Sequence, residues 1–422
     1  MLTPITLSKI KKIPAGLFFF FLPTQLGYFF WPAWSYFWGI KIDFLSPVIF
    51  LTDLILLALA LVWFFDFFRL PHSLSFRENK AWFWLIGGTM VFFAINLLFS
   101  FLPALSGYRA LKWCQLAFLI GYFSVNFSPG LLIPLFFSLT LTVFLAWGQF
   151  LLQGSVQGIF WWVGERFFNS STLGVAKMSL FGRLFVRPMA VFSHPNSLAG
   201  FMLIALIIFW FFKPFLAKKL GIFFYFGLAL MSTVLVITFS GAVWLVIFLL
   251  VLAYLVKNFS NRFLGLVLAG LFFGVFVFLV GHFGLIEELS IRERLFLTRN
   301  AGQLFMERPL LGWGLGSFIP AQGQLGFSRA GLNFYQPVHN LFLLILAEAG
   351  LLGLFWLVYW LTRWWFLVGR YWRQLFLVII FLGFFDHYWL TLQQNFLLLG
   401  VVMAIALSTS PSYTLKVKRG RC

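Results

Sequence analysis

Along the 422 residues, apolar runs of about 20 positions recur, uncharged or nearly so, and are broken by short polar turns. An apolar helix needs about 20 residues to cross a hydrocarbon layer roughly 30 Å thick. The runs predict an all-α polytopic membrane protein of about twelve transmembrane helices, at 14–32, 47–67, 81–102, 110–125, 131–151, 196–212, 220–238, 242–256, 263–284, 339–361, 374–389 and 392–408. Where an apolar stretch is too long for one crossing, turn residues divide it. Asn126-Phe127-Ser128-Pro129-Gly130 interrupts the uncharged stretch from Trp113 to Gly164, and Ser240-Gly241 does the same between Leu220 and Val256. Two gaps are much longer than a turn, 152–195 and 285–338, and are read as outer loops carrying short amphipathic helices. The whole chain, 1–422, is read as one membrane domain with these two loops capping an active site.

Composition agrees. Hydrophobic residues make up 62% and charged residues 10%, against roughly 45–50% and 25% in soluble proteins. The 62 phenylalanines and 19 tryptophans exceed what one water-facing core could hide, whereas a bilayer accepts them and gathers tryptophan at its interfaces. The net charge of +19 would on a soluble domain suggest nucleic acid. Here it reads as topology. With the N-terminus inside, inner segments hold eighteen Lys and Arg, nine fall in the two long loops, and Lys41, Arg109 and Lys112 serve all the short outer turns. Long translocated loops escape the positive-inside bias, so the expected arrangement has both termini cytoplasmic in the inner membrane, with membrane lipids as surroundings and no nucleic-acid partner. The run after Lys12 lacks a small-residue cleavage pattern and is read as a retained span. Two cysteines, Cys114 and Cys422, indicate no disulfide framework.

The candidate chemistry lies in the outer loops. The first carries Arg166, Lys177, Arg183 and Arg187 against one acid, Glu165; the second contains a helix from Ser290 to about Glu307 in which Leu295, Ala301, Leu304 and Phe305 alternate with arginines. That pattern suits a helix lying at the membrane surface. A guanidinium offers a planar fork matched to phosphate oxygens and keeps its charge, so arginines at an outer lipid interface suit a pyrophosphate headgroup; the plainer reading is contact with anionic lipid. Among five histidines, His72, His282 and His387 read as structural. His194 precedes Pro195 and Asn196 at a helix start, where a structural reading is favoured. His339 opens a span through Asn340 beneath the second loop, and imidazole is the natural general base near neutral pH. Glu348, nine residues on, would lie about 180° round a straight helix and about 13 Å deeper than His339. Asp386 and His387 can pair at an outer corner with Thr391, Gln393 and Gln394. No motif of metal-ligand spacing and no P-loop occurs, so neither a metal nor a cofactor is expected.

Five blocks carry a resemblance to a known family: RPMAVFSHPNSLAGF (187–201), TFSGA (238–242), SIRERLFL leading into ERPLLGWGLGSF (290–318), QPVHNLFLLILAEAGLLG (336–353) and DHYWLTLQQ (386–394). In order and spacing, from Gly164 to Gln394, they resemble the O-antigen ligase and O-antigen polymerase superfamily of bacterial membrane glycosyltransferases. The resemblance implies a GT-C-like bundle that moves a glycan, without a metal, from an undecaprenyl-pyrophosphate carrier to an acceptor hydroxyl. It implies that Arg187 and Arg294 grip the carrier pyrophosphate and that His339 activates the acceptor or assists at the anomeric centre. His194, Asn196, Arg183, Asn340, Asp386 and His387 are candidates for support. Many relatives have Ser-Arg-Gly-Ala where this chain has Ser240-Gly241-Ala242. A sugar pyrophosphate is already activated, so stabilised leaving-group charge and an aligned hydroxyl suffice, and inversion is expected because no carboxylate nucleophile is placed in the loops. The acceptor, whether glycan, lipid or protein, decides between ligase, polymerase and glycan-to-protein transferase. A transporter or flippase would instead favour polar pairs and broken helices at the midplane, and a non-catalytic assembly partner is the remaining alternative.

Overall fold

A computed structural model describes residues 4–37, 39–67, 80–172, 174–180, 182–258, 270, 274, 288–326 and 335–410. The span expected at 263–284, apart from 270 and 274, lies outside the described residues, as do His72 and His282. The helices are α1 (Pro4–Phe21), α2 (Leu51–Phe67), α3 (Lys80–Leu98), α4 (Pro103–Asn126), α5 (Leu132–Leu152), α6 (Pro195–Phe211), α7 (Lys213–Leu220), α8 (Ile222–Ile237), α9 (Gly241–Asn258), α10 (Glu288–Glu307), α11 (Phe318–Gln324), α12 (Leu341–Leu367), α13 (Arg370–Gly383), α14 (Tyr388–Thr391) and α15 (Gln393–Ser408). Among the described residues, two stretches are long and apolar enough to cross a membrane unaided, Pro129–Leu152 and Leu341–Leu367; α6 and α7, bent by 86°, make a third if taken together. Shorter apolar helices accompany them, among them Leu51–Phe65, Ile222–Ile237, Gly241–Leu255 and Gln393–Ser408.

Strands correct the all-helical expectation. Three antiparallel ribbons join β1 (Gly27–Phe29) to β4 (Val48–Phe50), β2 (Tyr36–Phe37) to β3 (Ile40–Lys41), and β5 (Lys177–Leu180) to β6 (Arg183–Val186). The first expected span, 14–32, therefore ends early: helix stops at Phe21, before Pro23, and the chain turns through Thr24, whose hydroxyl donates to Val163 O at 2.5 Å. Pairing of β1 with β4 then satisfies backbone groups that an apolar composition alone would have assigned to helix. The expected span at 47–67 likewise begins as strand, and helix starts at Leu51, with Asp53 Oδ2 accepting Phe50 N–H at 2.9 Å.

Within an apolar surrounding, helices are held by close packing rather than by escape from water, and small residues permit it. The most extensive helix contact is α4 with α15, where Gly400 sits so close that an added Cβ would lie 2.5 Å from Leu116 Cδ1.

The long helix α12 is broken. Gly350 takes φ 62° and ψ −164°, and the loop that follows α10 pairs with the opened backbone. Leu351 N and Leu352 N donate to Pro309 O and Leu310 O at 2.8 and 3.1 Å, while Trp313 N and Gly314 N donate to Ala347 O and Glu348 O at 2.9 and 2.8 Å. Non-helical backbone in an apolar bundle persists only where such partners exist. The Glu348 carboxylate completes the clamp by accepting Gly316 N–H at 2.8 Å and Phe318 N–H at 3.3 Å, and Asn96 bridges Leu315 N to Glu348 O. Glu348 thus anchors the second long loop, and through it α10 and α11.

In the first long loop the anchor is Glu165, buried, which accepts Val156 N–H at 2.7 Å, Gln157 N–H at 2.6 Å and Gln149 Nε2 at 2.9 Å. Gln149, on α5, also receives Met189 N–H and Ala190 N–H at 3.1 and 2.7 Å. The single acid of this loop is thereby a structural hub two hydrogen bonds from Met189, which follows Arg187 by two residues. Replacing it by Ala strands three donors, each bonded to a charged acceptor. Glu165→Ala is expected to lower stability by about 3 kcal/mol, read as a lowered unfolding midpoint of the purified protein, and Glu165→Gln to lose less.

Candidate functional site

Chain segments distant in sequence converge on a turn between α13 and α14. Asp386, buried, sits at its apex. Its Oδ1 accepts the backbone N–H of His387 at 2.8 Å and lies 3.5 Å from His339 Nδ1 and 3.9 Å from His387 Nε2. Its Oδ2 accepts Asn196 Nδ2 at 3.2 Å. Asn196 Oδ1 accepts Arg187 Nη2 at 2.7 Å, and Arg187 Nε donates to Thr238 O at 2.8 Å at the C-terminus of α8. Arg294, from α10, donates to Phe385 O at 3.1 Å, one residue before Asp386. Both arginines expected at a diphosphate and the histidine expected to be a base therefore gather round one carboxylate.

Local sequence explains each placement. His194 is the N-cap of α6, with extended backbone and Nδ1 accepting Asn196 N–H at 3.1 Å, and Pro195 fills the first helical position, where no N–H is needed. Asn340 is the N-cap of α12: its Oδ1 accepts Phe342 and Leu343 N–H, each at 3.0 Å, while Nδ2 donates to Phe384 O at 3.2 Å. Two helix starts are thus fastened to the same turn. The turn itself fits against α6 only because Gly200 has no side chain; a Cβ there would lie 2.2 Å from the Tyr388 hydroxyl.

His387 faces two ways. Its ring lies 5.3 Å from that of His339, and its Nδ1 is 2.7 Å from Thr391 Oγ1. Phe44 packs edge-on against the same ring, 5.6 Å between centroids. His339 Nδ1 is buried without a hydrogen-bond partner, and Asp386 Oδ1 lies 3.5 Å from it. The His339, Asp386 and His387 ligand atoms all lie within 4.8 Å of one another, a spacing compatible with a cation. The neighbouring arginines, Arg187 and Arg294, make the cluster as a whole better suited to an anion.

Burial pushes the His194 imidazole down to about 3; Asp386 opposes this, and Arg187 reinforces it. A neutral ring is what the cap requires, since Nδ1 must accept. Because the folded value lies below the unfolded 6.5, the unfolded chain takes up a proton first as pH falls, and stability is lost downward from about pH 6.5 at roughly 1.4 kcal/mol per pH unit. His194→Asn keeps a capping acceptor and removes the titration. The unfolding midpoint of the variant is expected to vary less between pH 7 and 5 than that of the wild type.

Of the sequence-derived candidates, Arg187, His194, Asn196, Arg294, His339, Asn340, Asp386 and His387 are brought together. Arg183 is exposed at the turn of the β5–β6 ribbon, and among the described residues no contact ties it to the cluster. Thr238 and Phe44 were not singled out as candidates: one contributes only a backbone carbonyl and the other an aromatic edge, and neither leaves a sequence signal. At Gly241, where the chain departs from many relatives, an added Cβ would meet nothing within 4 Å, so close packing does not explain the departure.

Apolar helices that bring arginines and histidines together round one turn are the features of a membrane-integral protein. Residues 226–358 match the family model described as O-antigen ligase. The resemblance to the O-antigen ligase and polymerase superfamily is thereby borne out, and membrane glycosyl transfer is the activity of that superfamily. The match contains Arg294, His339 and Asn340, and the fold adds Arg187, Asn196 and Asp386 to them from outside it. No curated protein matches the chain.

Proposed function

We propose that the protein transfers a glycan from an undecaprenyl-pyrophosphate carrier to an acceptor hydroxyl at the outer face of the inner membrane, as an O-antigen ligase does. The observation that carries the reading is the convergence of Arg187, Arg294 and His339 on Asp386. In this reading the acceptor oxygen attacks the anomeric carbon while the bond to the carrier diphosphate breaks. The diphosphate leaves with the bonding electrons, and the acceptor proton passes to His339. Arg187 and Arg294 stabilise the charge growing on the leaving group. Asp386 faces Nδ1 of His339 and favours the tautomer with its proton there, leaving Nε2 to accept the hydroxyl proton. Direct displacement inverts the anomeric centre, and the arginines supply what a metal would otherwise supply. The two outer loops cap the site in a single membrane domain of twelve spans, with both termini cytoplasmic.

The test is reconstitution of the full chain with an undecaprenyl-pyrophosphate glycan and candidate acceptors, with product mass as the readout. A conjugated lipid supports the ligase reading; lengthened repeats identify a polymerase, and a modified polypeptide a glycan-to-protein transferase. No transfer to any acceptor overturns the proposal. EDTA is expected to leave the rate unchanged. Inhibition reversed by a divalent ion would instead locate a metal at His339, Asp386 and His387.

A further inference from the structure

Two imidazoles approach one oxygen of Asp386: His339 Nδ1 and His387 Nε2 lie 3.5 and 3.9 Å from Oδ1. The far side of the His387 ring fixes its proton. Thr391 Oγ1 lies 2.7 Å from His387 Nδ1 and gives its own hydroxyl proton to His387 O at 3.2 Å. Nδ1 is therefore the N–H of the ring and donates to Thr391, and Nε2 is a bare lone pair. That lone pair faces a carboxylate oxygen, so two acceptors confront each other, an arrangement that a cation between them relieves. A partner on the back of an imidazole, turning its free nitrogen to a shared point, is also how metal-binding histidines are oriented.

The third ligand atom, His339 Nδ1, is buried without a hydrogen-bond partner. In a tetrahedral zinc site with bonds of about 2.0–2.1 Å the ligand atoms stand about 3.3 Å apart, and small rotations of the two rings close the set to that spacing. The His339 side chain keeps 14% of its surface exposed, which opens the cluster to an entering ion and to water as a fourth ligand. Arg187 reaches Asp386 through Asn196, on Oδ2, and Arg294 bonds Phe385 O, so neither contact occupies Oδ1. Their charge opposes a hard cation such as magnesium or calcium, which also requires six or more oxygens. Two imidazoles and one carboxylate instead suit an ion that bonds nitrogen, zinc above all.

The geometry points to His339, Asp386 and His387 as a site for one zinc-class ion that inhibits transfer rather than assisting it. The inhibition rests on the glycosyl-transfer reading above; the binding does not. When the ion bonds His339 Nδ1, the proton held there passes through water to Nε2, and none is gained or lost. Nε2 is the atom that would take the acceptor's hydroxyl proton, so the base is blocked while the arginines still face the diphosphate.

Binding is tested on untagged, EDTA-treated full-length protein in detergent, titrated with Co²⁺ as a spectroscopic substitute for zinc and then challenged with Zn²⁺. Expected are one Co²⁺ per chain, the visible absorption of a four-coordinate ion, and its loss on adding Zn²⁺. Affinity should fall at least tenfold in His339→Ala and in His387→Ala. Thr391→Val, which releases the His387 ring, is expected to weaken binding less, and His194→Asn, which removes a histidine outside the trio, to leave it unchanged. No saturable binding, or binding retained in both His339→Ala and His387→Ala, overturns the proposal. In the transfer assay Zn²⁺ is expected to lower kcat with carrier-lipid binding unchanged, and EDTA to restore it. Equal zinc inhibition of the activity left in His387→Ala places the ion on the carrier diphosphate and overturns the proposal. Co²⁺ binding of this pattern in a protein that transfers to no acceptor removes the glycosyl-transfer reading and leaves the metal site; transfer without Co²⁺ binding does the reverse.

Discussion

Arg187→Ala and Arg294→Ala are each expected to lower glycan transfer about 10²- to 10³-fold, the scale on which removal of one donor to a developing negative charge acts. The two side chains arrive from different elements, the segment before α6 and helix α10, and both are tied to the turn at Asp386. For Arg187 a lysine should not rescue. Its guanidinium spans Thr238 O and Asn196 Oδ1 through Nε and Nη2, and a point-charge ammonium cannot reproduce that fork. Membrane insertion and the unfolding midpoint, measured beside the transfer rate, separate lost chemistry from lost fold. Full activity in both alanine variants would remove the arginines from the site.

His339→Ala is expected to lower kcat by about 10²- to 10⁴-fold, the range of general-base contributions, with carrier-lipid binding unchanged. Asp386→Asn should reproduce part of that loss. An amide can keep only some of the acceptor contacts now made to Asn196 Nδ2 and His387 N–H, and it weakens the preference for a proton on His339 Nδ1. A parallel fall in carrier binding would make His339 a ligand of the diphosphate rather than the base. Single-turnover rates beside equilibrium binding of the carrier distinguish the two.

Much of this was legible in the chain. The apolar runs correspond closely to helices where the flanks are polar: 131–151 became Leu132–Leu152, and 392–408 became Gln393–Ser408. Reading failed where composition is apolar but the backbone has another partner. Residues 22–32 are uncharged, but Pro23, Thr24, Gln25, Gly27 and Pro32 interrupt the apolar run, and the Thr24 contact and the β1–β4 pairing draw the segment into a ribbon. His339 precedes the N-cap Asn340, so helical periodicity does not relate it to Glu348, and the role of Glu348 is hidden in the sequence because the Gly316 N–H it accepts is 32 residues away. Within the site, the chemistry-bearing types Arg187, Arg294 and His339 stood out. Arg183 did so too, for the same reason of charge, and nothing local distinguishes its exposed hairpin turn from the anchored position of Arg187.

By itself the sequence determined the solvent of this protein, because a chain 62% hydrophobic cannot be enclosed by its own 10% of charged residues. It also determined which residues can carry chemistry, because few side chains hold charge or titrate near neutral pH and fewer still lie in the outer loops. The tertiary structure decided which of them meet. Asn196 and Asp386 are 190 residues apart and Arg294 and Phe385 are 91, and such contacts depend on how helices pack side by side. Hydropathy marks which helices are apolar but leaves their neighbours unspecified. Close approach at Gly200 and Gly400, and the satisfaction of buried backbone groups around the Gly350 break, select those neighbours.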